Sequence, residues 1–139
     1  MKKLFLLIAA CVTVMYVSAQ EEVERASENK MAFVVEGPED SYNQIRVVNH
    51  SSFSDFQCRV VYLNDDNTVK ALYGTYYLKG YDDVDSNTTR ITRGQRIGIQ
   101  MANDFPYEVT FSIEYKDYPF FDAILIHIND LYPGFDDTF

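Results

Sequence analysis

The sequence predicts an all-β chain: a single-domain antiparallel β-sandwich of about seven strands, Ig-like in architecture, preceded by a signal peptide and a flexible acidic leader. Three observations predict it. After Lys30 the apolar residues recur with a period of two, as on strands with one buried face, and no helical period of useful length appears. Short apolar runs return about every dozen residues, separated by polar turn-forming segments. Eleven Tyr and ten Phe with no Trp supply the aromatic bulk of a core.

The chain opens Met1-Lys2-Lys3 and continues with an almost unbroken apolar run over residues 4–17. That run is short for a bilayer-spanning helix and small residues follow it, so it reads as an export signal, residues 1–19. A cut between Ala19 and Gln20 puts Val17 and Ala19 at the small-residue positions and leaves an apolar stretch of ordinary length. The alternative is a cut before Cys11, where Ile8-Ala9-Ala10-Cys11 resembles a bacterial lipobox and would leave a lipid-anchored cysteine. That cut would also leave the apolar residues 12–17 at a water-exposed N-terminus. The signal suits export from a Gram-negative bacterium, to the periplasm or the cell exterior, with a membrane-anchored lipoprotein as the alternative.

Residues 20–30 carry Glu21, Glu22, Glu24 and Glu28 and almost nothing to bury, the composition of a flexible leader. Residues 31–139 form the sandwich domain. Loss of Lys2 and Lys3 leaves ten basic residues against 21 acidic ones, a formal charge of −11 in place of −9 for the whole chain. A field of that sign repels nucleic acid and anionic lipid surfaces, and no membrane span is expected beyond the signal. With Cys11 removed, Cys58 has no intramolecular disulfide partner, so the core must hold the domain unaided.

The expected strands follow in order. Residues 31–37 are an apolar run closed by Gly37-Pro38-Glu39-Asp40; residues 42–49 place Ile45 and Val47 on one face and Gln44 and Arg46 on the other. Residues 55–63 put Phe56, Cys58, Val60 and Tyr62 on a single face, Asn64-Asp65-Asp66-Asn67 is a hairpin turn, and residues 68–79 return. Gly74 in the middle of that strand predicts a bulge. Further on, Ile97, Ile99 and Met101 alternate, as do Tyr107, Val109, Phe111, Ile113 and Tyr115. Residues 120–129 have Ile124, Ile126 and Ile128 on one side and Ala123 and Leu125 on the other, the pattern of a central strand covered on both faces.

The residues that could carry chemistry are few. Cys58 shares a phase with Phe56 and Val60, which predicts a buried inert thiol. His50 lies in a Ser-rich loop whose hydroxyls satisfy backbone groups; His127 lies on the outer phase of the last strand. Two His and one buried Cys argue against a nitrogen or sulfur metal site. Asp82, Asp83 and Asp85, with Asn87, form an acidic run that could offer oxygen ligands to calcium, although the glycine and distal glutamate of an EF-hand loop are missing and a solvated acidic loop is the simpler reading. No other cofactor is implied. Asn49-His50-Ser51 and Asn87-Thr88-Thr89 are formal glycosylation sequons. Arg90, Arg93 and Arg96 form the basic stretch, expected to pair with carboxylates around an Arg93-Gly94 turn.

Aromatic residues remain. Tyr73, Tyr76, Tyr77 and Tyr81 crowd the fourth expected strand and its exit, and Tyr118, Phe120 and Phe121 surround Pro119 in a turn. Tyr buries much area with few rotors and keeps a polar tip, which suits recognition. Tyr76, Tyr81, Tyr118, Phe120 and Phe121 are therefore candidate ligand-facing residues. The function expected is a non-catalytic binding domain for a protein or glycan. The alternatives are a small secreted hydrolase using carboxylates such as Asp82 and Asp85, and a calcium-stabilised structural or adhesion module.

Overall fold

The computed structural model describes residues 29–131. The expected signal, Cys11, the expected cut between Ala19 and Gln20 and most of the expected leader therefore lie outside the described residues, as do residues 132–139. The described chain has eight strands: β1 (Lys30–Val35), β2 (Gln44–Asn49), β3 (Phe56–Leu63), β4 (Val69–Leu78), β5 (Asp83–Asn87), β6 (Ile97–Met101), β7 (Val109–Asp117) and β8 (Asp122–Asp130). They form two four-stranded sheets, β1-β6-β3-β4 and β5-β2-β8-β7, packed face to face with no helix among them.

The alternation read from the sequence places the core. Ile45 and Val47 of β2, Cys58 and Val60 of β3, Ile97, Ile99 and Met101 of β6, and Ile124, Ile126 and Ile128 of β8 meet between the sheets. Each such isoleucine, wholly removed from water, contributes about 1.5–3 kcal/mol of transfer free energy. On β7, Val109, Phe111 and Ile113 are half-buried against this core. The strand begins at Val109 rather than Tyr107, because Tyr107 turns aside to stack on Phe53, ring centroids 4.0 Å apart.

Two expectations need correction. The described residues form eight strands rather than about seven: residues 83–87, expected to be an acidic loop, are the edge strand β5, antiparallel to β2. The sheets are also not purely antiparallel, because β2 and β8 run parallel, with Val48 opposite His127 and Asn49 opposite Ile128. A parallel pair needs a crossover, and no helix among the described residues provides one. Here the chain crosses through the opposite sheet instead. Only β3–β4 and β7–β8 are hairpins between sheet neighbours; the other connections pass from one sheet to the other.

The mid-strand glycine does mark a bulge. Val60 pairs with Gly74 and Val61 with Leu72, leaving Tyr73 as the extra residue. A Cβ on Gly74 would overlap the Asn87 amide nitrogen, so the glycine also admits the neighbouring strand. Gly94 has φ 80°, as the turn at Arg93-Gly94 requires. The registers put the β2–β3, β4–β5 and β6–β7 connections at one end of the sandwich. The β1–β2, β3–β4, β5–β6 and β7–β8 connections lie at the other.

Candidate functional site

The acidic run finishes an edge. On β5, Asp83, Asp85 and Asn87 point the same way, towards β4, whose outer edge has no strand partner. The backbone N–H of Lys79 donates to Asp83 Oδ2 at 2.8 Å and that of Tyr77 to Asp85 Oδ2 at 2.8 Å. Asn87 Nδ2 donates to the Tyr73 carbonyl at 3.3 Å, and the Tyr73 hydroxyl is shared between the Asn87 and Thr89 carbonyls. The three inner-face side chains of β5, opposite Asn49, Val47 and Ile45 of β2, thus occupy backbone groups of Lys79, Tyr77 and Tyr73 along the β4 edge. The three aspartates considered as calcium ligands are turned to separate partners, because Asp82 faces His50 instead. Among the described residues no group of three or more His, Cys, Asp or Glu side chains is arranged to hold a metal ion. Asp82 and Asp85, considered as an acid–base pair, likewise serve different contacts.

The outer face of the second sheet carries a separate set of residues. Val48, Ala123 and Leu125, alternating with the core positions of β2 and β8, are buried there beneath Tyr118 and Phe121. The two rings stack with centroids 4.6 Å apart, and the turn that holds them is closed by the Tyr118 N–H donating to the Phe121 carbonyl at 2.7 Å. The Arg46 guanidinium lies 5.1 Å from the Tyr118 ring centre and 4.9 Å from that of Phe121, and Lys116 Nζ lies 5.1 Å from Tyr118. These are cation–π distances. Arg46 was not singled out in the sequence. At the tip of the same turn Phe120 is 96% exposed.

At the opposite end Asn49, fully buried at the last position of β2, organises the loops. Its amide donates to the Phe53 carbonyl at 2.8 Å and to the Gly80 carbonyl at 3.1 Å, while its oxygen accepts from the N–H and hydroxyl of Ser51. The Asp82 N–H donates to the Asn49 carbonyl at 2.7 Å. Ser52 is held by the Asp130 carboxylate through both its N–H and its hydroxyl. Of the hydroxyls expected to satisfy backbone groups, that of Ser51 does so, accepting from the Phe53 N–H at 3.3 Å, whereas that of Ser52 goes to Asp130 of β8. One consequence is that His50 is presented to the outer face beside His127, with His50 Nε2 and His127 Nδ1 2.8 Å apart. Their outer nitrogens meet carboxylates: His50 Nδ1 lies 3.3 Å from Asp82 Oδ1, and His127 Nε2 lies 2.9 Å from Glu114 Oε1. Tyr81 stands edge-on to His50 and is 71% exposed.

The candidate aromatics therefore divide. Tyr76 is a correction: it is wholly buried in the core, its hydroxyl donating to the Ile45 carbonyl at 3.0 Å, and no surface ligand can reach it. Burial pushes its phenol up. Tyr118 and Phe121 are half-buried lids over the apolar patch, while Phe120 and Tyr81 are free but lie at opposite ends of the sandwich. Cys58 is buried, and burial pushes its thiol up to about 12, with the Asp85 charge adding to the shift. Arg96 pairs with Glu36 at 3.0 Å, holding that carboxyl below its usual range. Both sequon asparagines spend their side chains on internal hydrogen bonds.

No family model matches the sequence, and no curated protein or solved structure matches it. No helix among the described residues is long and apolar enough to cross a membrane.

Proposed function

We propose that the chain is exported and works as a non-catalytic binding module of Ig-like, two-layer architecture. It meets a protein partner through the outer face of the sheet β5-β2-β8-β7 around the β7–β8 turn. Phe120 carries this reading. A phenyl side chain left almost wholly in water forgoes about 1.5–3 kcal/mol that burial would return, and docking against an apolar pocket would recover it. The turn beneath it is braced by the Tyr118–Phe121 stack and the hydrogen bond across its ends. Phe120 is thereby presented from a rigid base, and little freedom is lost on binding. Arg46 and Lys116, laid against the same rings in a strongly acidic chain, offer cations to a partner's carboxylates. Export is supported by the Lys-rich start, the apolar run and the small residues before Gln20.

Affinity capture from envelope and culture-supernatant fractions tests the proposal. Wild type and Tyr77→Ser, whose exposed ring lies on the other sheet, are expected to retain the same protein partner; Phe120→Ser is expected to lose it. Equal capture by wild type and both variants would rule this surface out.

A further inference from the structure

Four side chains from separate parts of the sequence form one line across the outer face of the second sheet: Asp82, His50, His127 and Glu114. The two imidazoles are nearly parallel, planes within 19° and centroids 5.0 Å apart. Because their nearest nitrogens are only 2.8 Å apart, they lie edge to edge, joined nitrogen to nitrogen, rather than face to face. The line makes three contacts, each of which needs one hydrogen. An ionised carboxylate only accepts, so Nδ1 of His50 and Nε2 of His127 must both donate outward, and the central contact needs a third hydrogen. Two neutral imidazoles bring two. With two hydrogens, one contact must set a ring lone pair against either a carboxylate oxygen or the other ring's lone pair. With three, every contact is a hydrogen bond. With four, hydrogens on both inner nitrogens oppose each other across 2.8 Å.

We propose that His50 and His127 form a site for one shared proton, an imidazole–imidazolium pair bracketed by Asp82 and Glu114. It fastens the β2–β3 loop and the β4–β5 turn to β8 and β7. The titratable and charged groups facing the rings are Asp82 and Tyr81 from the turn and Glu114 from β7; Asp130 of β8 is taken up by Ser52. The pair sits near the surface, about a fifth to a third of each His side chain being exposed, so protons reach it from solvent.

The test compares wild type with Glu114→Gln and Asp82→Asn. A carboxamide donates where the carboxylate accepted, so either variant closes the line with two neutral rings. Asp82 has φ 61°, which asparagine tolerates, so that variant leaves the turn intact. Wild type is expected to show a ¹⁵N–¹⁵N coupling across the hydrogen bond between His50 and His127 in the folded protein, with a hydrogen on both outer nitrogens, His50 Nδ1 and His127 Nε2. Each variant is expected to keep the coupling and to lose the hydrogen on the ring nitrogen that faces the carboxamide, His127 Nε2 in Glu114→Gln and His50 Nδ1 in Asp82→Asn. A folded wild type without the coupling would overturn the proposal, as would one in which either outer nitrogen carries no hydrogen.

Discussion

Cys58 shows how position cancels chemistry. Its neighbours in the β3 phase, Phe56 and Val60, already predict that it faces inward, and in the fold it is buried with its thiol pushed up to about 12. Burial likewise raises the Tyr73 phenol to about 12. Both groups keep their protons in the folded state at pH values where the unfolded chain loses them, so stability falls as pH rises from about 9 towards 12. Denaturation midpoints should drop across that interval, and less steeply in Cys58→Ala. A thiol reagent should react with native Cys58 only as fast as the chain unfolds. A midpoint independent of alkaline pH would contradict the burial of both groups. Other residues were less legible. Tyr76 looked like part of a surface cluster because it lies beside Tyr77, yet the bulge at Tyr73 shifts the strand's phase and turns Tyr76 inward. The histidine pair was invisible, since its members meet only through the parallel register that sets Val48 opposite His127.

Among elements, the strands that bury one face were readable and the one that buries neither was not. β8, with three isoleucines inward and Ala123 and Leu125 covered outward, is the central strand its pattern indicates. β5 has one apolar residue, Val84, and that residue is exposed. Its order comes from pairing with β2 and from side chains that bond the backbone of β4, a device no hydrophobic period reveals. Edge strands with free N–H groups invite pairing with other chains. Asp85→Ala, which frees the Tyr77 N–H, should cost about 1 kcal/mol in denaturant unfolding and raise light scattering on concentration. Unchanged stability and solubility would show that these bonds do not support the β4 edge. The parallel β2–β8 pair escaped for a topological reason: passage through the opposite sheet supplies the crossover that a helix would otherwise provide.

At the scale of the molecule, the layered all-β architecture was readable because every second side chain converges on one interior. Its consequence for function was not, because strand order decides which surface residues are neighbours. That order sends Tyr81 and Phe120 to opposite ends and leaves the second sheet with two separate features: the braced aromatic turn around Phe120 and the histidine line around His50. The first sheet has exposed Tyr77 on its outer side but no comparable cation–aromatic cluster among the described residues. The proposed recognition of a partner therefore falls to the second sheet's outer face. Photo-crosslinking from a benzophenone side chain placed at position 120 or at position 77, in cells producing the full chain, tests that assignment directly. Position 120 should yield a discrete protein adduct and position 77 none; an adduct from position 77 with none from position 120 would contradict it.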